Sequence, residues 1–550
     1  MGQIAYRANL SAATYPMTIA DGGRTVIMPG PDNNYDRRVD PQGEQKDAGI
    51  PQALYLENVV PTARGYQSVG YIDSGADVPL AGTMANVIEV FARNPSTETI
   101  ITVPIYFNTF SAMRAGIAGE MTVTVVGATP IYASKTSTAV VRGTCYVLIG
   151  IDLYTVEWDG STVITLTDVT ATVTPLNFIS TNGIVAICSA ANYLVMVGPR
   201  TVYYSSTTTP LDFVSSLVSG AGQIDPNDIG GDIQYVKTSV NGFYVYSNTT
   251  VVWVQYTGNS RYPWKSSIVK TAIGVRSDRG TQRYIAGGPS FPNHVFIDTL
   301  NRVCVLTGAE VTNAVPEVSD FLANSTVQEL FDYSTNTFTT ANLSTPEATV
   351  YLWASRYVLV SINGSAKELP GTVYTKAIIY DTVLQRLGRL KIDHHFIFTV
   401  DPIFSSAIGL DIDKPLLGFI DVTTKRVRYI ALDMYAQRAL AGSNRYEAYE
   451  GVLVLGKFQY ARSRFLQLEE IEIEGPQNSD IIPAPNFSCA VLPSLNGRTF
   501  DSPVTPYQVS LTGGLAAYNC HCVGQNVSVA LKGAFNVNTV QLKFTARGDR

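Results

Sequence analysis

Between Gly198 and Gly258 the chain is written as short apolar runs cut by turn residues, and no other stretch limits the fold as strongly. Ile233–Val240 and Phe243–Tyr246 are rich in residues that favour strands, and Asn241-Gly242 stands between them. Asn-Gly at a two-residue hairpin tip accepts the positive φ that a type I′ turn needs. Val202, Tyr203 and Tyr204 end one strand, and Val251–Tyr256 forms another that closes on Gly258. Strands this short, folding straight back, give antiparallel meanders. A meander repeated along a chain is the pattern of a β-propeller, which sets the expected frame.

The flanking text supports an all-β reading. Leu54–Tyr71, Ala85–Phe91, Thr99–Tyr106, Met121–Val126, Thr144–Ile151, Tyr154–Trp158 and Thr162–Leu166 read as strand material. Pro104 demotes its strand to an edge or a bulge. Asp298, Asp381 and Asp421 each end an apolar run, turn, and re-enter a strand near Arg302, Arg386 and Arg426. Asp bonds its own backbone at such turns. These intervals suggest a period of roughly 40–45 residues, the range of propeller blades. Glu317–Phe331 is the one helical candidate, because Val318, Phe321, Leu322, Val327, Leu330 and Phe331 could share a face. Three parts are expected: an irregular arm or loop over 1–50, a propeller of six blades over 51–438, and a C-terminal β-sandwich-like domain over 439–550. In the last, Ile471 and Ile473 alternate with Glu470, Glu472 and Glu474, as a strand with one wet face requires.

A length of 550 residues suggests two to four domains. Hydrophobic residues at 45% supply a core, and charged residues at only 15% leave surface for burial between subunits. The net charge of −6 lacks the basic footprint of a general nucleic-acid binder. It is compatible with a passage, since an acidic wall repels phosphate. Six cysteines without a CxxC pair read as reduced, buried thiols. In Cys520-His521-Cys522 the histidine should face away from both thiols. No basic-then-apolar leader opens the sequence, so synthesis in a cytoplasm is expected. The uncharged stretch between Asp168 and Arg200 reads as two buried strands around Asn182-Gly183, not as a membrane span.

Phosphate-loop, GxSxG, HExxH and EF-hand patterns do not occur. Asp393-His394-His395 is the nearest thing to a metal or acid–base site, and strand geometry splays the two histidines. The Glu470–Glu474 acids fit a solvated strand face better than a glycosidase pair. The tyrosines of the organising stretch, Tyr203, Tyr204, Tyr235, Tyr244, Tyr246 and Tyr256, fit packing better than base stacking. No cofactor, metal or enzymatic step is expected.

Three places carry a resemblance. Leu56-Glu57-Asn58-Val59-Val60-Pro61 runs on to Arg64-Gly65 and Gly70-Tyr71. Pro199–Gly222 holds Tyr204-Ser205, Pro210-Leu211-Asp212-Phe213 and Gly220-Ala221-Gly222. Ile273-Gly274 leads through Phe296-Ile297-Asp298 to Val318-Ser319. In this order they resemble the tail nozzle proteins of short-tailed phages, also called tail tubular protein B or packaged-DNA stabilisation protein. The resemblance covers roughly 55–330. It implies a β-propeller with added β-domains, in six copies forming a ring below the portal and adaptor. It implies tail fibres or spikes docked outside, and a channel that holds the viral double-stranded DNA without reading its sequence. The protein would then reside in the virion tail. Two loops are candidates to narrow the bore: Gly258–Ser266, with Arg261, Tyr262, Trp264 and Lys265, and Asp278–Arg283, with Asp278, Arg279 and Arg283. The rival expectation is a tail-associated propeller that binds or cleaves glycans.

Overall fold

The computed structural model describes residues 3–9, 18–21, 24–27, 53–62, 65–81, 84–116, 119–130, 136–216, 219–225, 229–259, 262–275, 285–288, 291–300, 302–313, 326–332, 337–342, 347–354, 356–363, 373–374, 376–383, 386–401, 416–422, 424–430, 446–459, 465–476, 486–494, 507–511, 514–524 and 526–547. Strand accounts for 66% and helix for 2%, so the class is all-β as expected.

Three four-stranded antiparallel meanders follow one another in chain order. The first is Ala186–Ala190, Tyr193–Val197, Val202–Tyr204 and Gly222–Ile224. The second is Ile233–Ser239, Gly242–Ser247, Thr250–Tyr256 and Trp264–Thr271, and the third is Ile285–Gly288, Phe291–Ile297, Val303–Thr307 and Glu310–Asn313. In the second, the hairpin tip is Val240-Asn241, one residue earlier than the Asn-Gly pattern suggests. Gly242 instead begins the next strand with φ +147°, where a Cβ would lie 2.0 Å from Val254 O. The glycine serves close backbone approach there, not the turn.

A fourth meander, Glu347–Trp353, Tyr357–Asn363, Lys376–Asp381 and Arg386–Leu390, is extended by Val59–Pro61, Tyr66–Ser68 and Asn536–Val537. The fifth runs His394–Val400, Leu416–Asp421 and Arg426–Ile430. Its fourth strand is Gly70–Asp77, supplied from the opposite end of the chain. Ahead of the meanders lies a barrel of six strands: Met84–Arg93, Ile100–Asn108, Met113–Ala115, Met121–Val126, Val163–Asp168 and Asp152–Trp158. Met121–Val126 and Val163–Asp168 pair in parallel, and a bridge between Glu157 and Arg93 closes the barrel. Ile88, Val90, Val103, Ile105, Val156 and Leu166 fill its core.

The leading strands form a circuit. Thr136–Val141, which extends the barrel sheet, packs on Ala186–Ala190, then come Ile233–Ser239, Ile285–Gly288 and Glu347–Trp353, and His394–Val400 returns to the barrel. The meanders begin at Ala186, Ile233, Ile285, Glu347 and His394, at spacings of 47, 52, 62 and 47 residues. The shorter period expected from the three aspartates arose because they are not equivalent: Asp298 and Asp421 end second strands, whereas Asp381 ends a third. Their local chemistry is nonetheless shared. Asp298, with no exposed surface, accepts from Leu300 N at 2.9 Å, from Arg302 N at 2.8 Å and from Arg302 Nε at 2.7 Å. Asp381 pairs with Arg356 at 2.7 Å. Replacing Asp298 by Ala removes the carboxylate that accepts from two backbone amides, and with it one buried ion. Arg302 can still turn to water, so the expected cost is about 2–3 kcal/mol, read from urea unfolding. A shift in midpoint within error would refute this account of the turn.

The C-terminal part is two facing sheets. One is ordered Gln3–Asn9, Thr539–Arg547, Phe465–Glu474, Leu515–Gly524, and the other Ala53–Glu57, Gly451–Gln459, Asn526–Ala534, Asn486–Ser494, Tyr507–Val509. Leu453, Leu468, Ile471, Ile473, Val491, Val529, Leu531 and Leu542 share the core between them. Residues expected to be an irregular arm thus include Gln3–Asn9, Thr18–Asp21 and Arg24–Ile27 as strands, the first paired with Thr539–Arg547. No propensity reading could find a partner so distant. The expected domain boundaries are crossed as well, since 53–77 serves three sheets and Tyr446–Ala448 still belongs to the fifth meander sheet. Two smaller corrections concern helices. Thr326–Asp332 is a strand paired with Thr337–Asn342, and its register shift between Gln328 and Leu330 imitates helical spacing; the rest of the expected helix lies outside the described residues. The first of two strands expected after Asp168 is replaced by the short helix Phe178–Thr181, with Gly183 at φ +58° past its end.

Candidate functional site: the polar hub

Strands that lead their sheets should bury apolar side chains where they converge. Here several point polar ones inward. Glu89 on Met84–Arg93, Lys237 on Ile233–Ser239, Tyr351 on Glu347–Trp353 and Thr399 on His394–Val400 are all half-buried, deep inside the circuit. Tyr351 Oη donates to Glu89 Oε1 at 2.6 Å, and the Thr399 amide donates to the same oxygen at 2.5 Å. Burial pushes the Glu89 carboxyl up, against those bonds and the charge of Lys237. Burial pushes the Lys237 ammonium down, against the pull of Glu89. The Lys237 ammonium makes no hydrogen bond to a described residue and acts through space on Glu89, Cys188 and His294.

Below this pair His294 is fully occupied. Its Nδ1 lies 2.7 Å from Tyr246 Oη and its Nε2 2.9 Å from Thr238 O. Burial, helped by Lys237, lowers its pKa to about 3. The imidazole is therefore neutral, Nε2 donating and Nδ1 accepting. His394 is held in the same way: Nδ1 donates to Ile392 O at 2.8 Å, Nε2 accepts from Ser361 Oγ at 2.9 Å, and burial brings its pKa to about 4. In the Asp393-His394-His395 site considered from sequence, His394 thus has no ring nitrogen left for a metal. Among the described residues no group of three or more His, Cys, Asp or Glu is placed to hold an ion. No described helix is long and apolar enough to cross a membrane.

The hub is chemically a cross-brace. Glu89 ties the barrel to two meanders by hydrogen bonds and to a third by charge. Lys237→Met should cost about 2 kcal/mol at neutral pH, because a desolvated carboxylate loses its counter-charge. Glu89→Gln with Lys237→Met should recover most of that, since the amide oxygen still accepts from Tyr351 and Thr399. Equal urea midpoints for the single and double variants would refute the brace.

The loop residues chosen from sequence fall differently. Trp264 is 8% exposed and packs among Tyr193, Tyr204, Phe243 and Tyr256. It anchors the loop and presents nothing outward. Tyr262 is 65% exposed, held by Thr257 N to Pro263 O at 2.9 Å and Tyr262 N to Asn259 Oδ1 at 3.4 Å. Lys265 is exposed too. Arg261, Asp278, Arg279 and Arg283 lie outside the described residues. The hub residues were missed because Glu89 and Lys237 alternate like ordinary outward-facing charges. Only the closing of the circuit turns them inward. No family model matches the chain, and no curated protein matches it in sequence.

Proposed function

We propose that the chain is a structural subunit of a short-tailed phage nozzle, acting mechanically and without an enzymatic step. In this reading the circuit is a β-propeller of six positions, five of them meanders and the sixth the barrel. Six copies would form the ring under the portal and adaptor, and fibres or spikes would dock outside. The observation that carries the reading is where the family-like segments lie. Leu56–Tyr71 threads the fourth and fifth meander sheets and a C-terminal sheet. Pro199–Gly222 joins strands of the first meander and sends Phe213 into the core against Phe178. Ile273–Asp298 links the second meander to the third through the Val275–Asp298 bridge. A family signature sitting on the joints of the frame fits a part selected for rigidity.

Two features add support. The hub is filled by Glu89, Lys237, Tyr351 and Thr399, so duplex DNA would run between copies and not through one. A cyclic ring uses one contact between two different faces of each copy. The low charge content leaves such faces available. Tyr262 and Lys265 are then the exposed residues of the described part of this loop that would face the bore. The test is native mass measurement of the purified chain with and without the adaptor, together with particles assembled without the chain. Six-fold rings and heads that lose their genome are expected. A monomer that joins no particle, DNA-filled particles that merely fail to attach, or release of oligosaccharide from host glycans would overturn the reading.

A further inference from the structure

Four Asn-Gly pairs occur in the chain, and two of them lie wholly among the described residues, Asn182-Gly183 and Asn241-Gly242. Such a pair is open to ring closure of the main chain onto the side chain, because glycine has no Cβ to shield its amide nitrogen or restrict its torsions. The fold treats the two pairs in opposite ways. Asn182 is half-buried just past Phe178–Thr181, and both ends of its carboxamide are held. Its Nδ2 donates to Phe178 O at 2.8 Å, and its Oδ1 accepts from Tyr203 Oη at 2.8 Å. The Gly183 amide is engaged as well, donating to Ser180 O at 3.3 Å. Asn241, by contrast, is exposed at the hairpin tip, beside Val240 at 60% exposure. Its main-chain oxygen accepts from Tyr256 N at 3.0 Å, while its carboxamide bonds to no described residue.

We propose that Asn241 is a self-modification site, closing onto Gly242 to give aspartyl and isoaspartyl forms, and that the isoaspartyl form unfastens this end of the second meander. The steps balance. The Gly242 main-chain nitrogen gives its proton to solvent base and attacks Asn241 Cγ. The bond from Cγ to Nδ2 breaks, and ammonia leaves. Water then opens the five-membered succinimide at one of its two carbonyls. Opening at Cγ leaves an aspartate in an ordinary main chain. Opening at the main-chain carbonyl sends the chain through Cβ and Cγ, one methylene longer, and turns that carbonyl into a free carboxylate.

The second product does not fit the turn. Gly242 pairs with Ser239 across the tip and with Gln255 on its other side. It packs so closely on the neighbouring strand that a Cβ would lie 2.0 Å from Val254 O. A longer link shifts Gly242 out of that register. The oxygen that holds Tyr256 N is lost from the main chain at the same step, and Tyr256 packs on Trp264 with ring centres 5.4 Å apart.

The experiment holds the full chain at pH 8 and follows both sites by peptide mass mapping and by isoaspartyl-specific methyl transfer. Asn241 is expected to convert while Asn182 lags at least about tenfold, since two side-chain hydrogen bonds must break before Asn182 can close. In urea the two should react alike, because both are followed by glycine. The isoaspartyl product, separated from the parent, should unfold at lower urea than Asn241→Asp, which supplies the charge without the extra methylene. Asn182 converting as fast as Asn241 in the native chain would overturn the proposal. So would an unreacted Asn241 after the urea-treated chain has finished, the same rate ratio in urea, or equal midpoints for the isoaspartyl product and Asn241→Asp.

Discussion

Ile72→Asp is expected to leave no stably folded chain at 25 °C. Ile72 is fully buried on Gly70–Asp77, among Phe398, Leu416, Ile420, Val427 and Tyr429. That strand is the fourth of the fifth meander, pairing Tyr71 with Ile430 and Asp73 with Arg428. A carboxylate there has no partner, and burying it costs several kcal/mol on top of the lost packing. A loss of more than about 4 kcal/mol takes most of a typical domain's stability. The bare edge at Arg426–Ile430 would then invite aggregation. Ile72→Val should cost only about 1 kcal/mol. The exposed ends of the same strand make the contrast: Arg426 meets Asp77 at 2.9 Å, yet breaking that solvent-screened surface pair should leave the melt nearly unchanged. Thermal melts and gel filtration of these variants decide the matter. A cooperative melt of Ile72→Asp within a few degrees of the parent would show that ring closure does not depend on this strand.

The second large effect is loss of stability in mild acid. Two buried neutral histidines have depressed pKa values, about 3 for His294 and about 4 for His394. An unfolded histidine titrates near 6.5. Below that pH the unfolded chain binds protons that the folded chain refuses, so stability falls as pH drops through 6.5. The fall flattens for each histidine only at its folded value. At pH 5 each contributes a loss of about 2 kcal/mol, so the pair gives about 4 kcal/mol. The neighbouring charges act in known directions: Lys237 deepens the depression at His294 and His395 that at His394. Glu89 works the other way, because a raised carboxyl pKa adds stability as pH falls. Urea midpoints at pH 7.5 and 5 measure the sum. His394→Gln, even if weaker at pH 7.5, should lose about 2 kcal/mol less on acidification. A His394→Gln variant that loses as much as the parent on acidification would mean that His394 is not held neutral.

What could be read from residues alone followed locality. Short antiparallel hairpins were legible, because their partners are neighbours and their turns carry Asn, Asp and Gly. Ile471 and Ile473 were rightly assigned to a core, with the alternating acids outward. The barrel was not legible: the parallel pairing of Thr122 with Val163 leaves no turn to recognise. Of the strand Gly70–Asp77 only Gly70 and Tyr71 fell in the stretch read from sequence, and its partner Arg426–Ile430 lies far along the chain. The hub was hidden for a related reason. Glu89 and Lys237 look like surface charges until distant strands surround them.

The segment from Ala53 to Asp77 also dictates an order of events during synthesis. Val59–Pro61 and Tyr66–Ser68 can pair with each other at once, but Gly70–Asp77, Ala53–Glu57 and the outer edge of Tyr66–Ser68 wait for Arg426–Ile430, Gly451–Gln459 and Asn536–Val537. Gly65 awaits Val537 so closely that a Cβ would lie 2.0 Å from its carbonyl oxygen. A nascent chain of this kind cannot finish folding from front to back. It must leave these edges open until the strands up to Val537 have emerged, so a product cut short before them would lack the strands that fasten this segment.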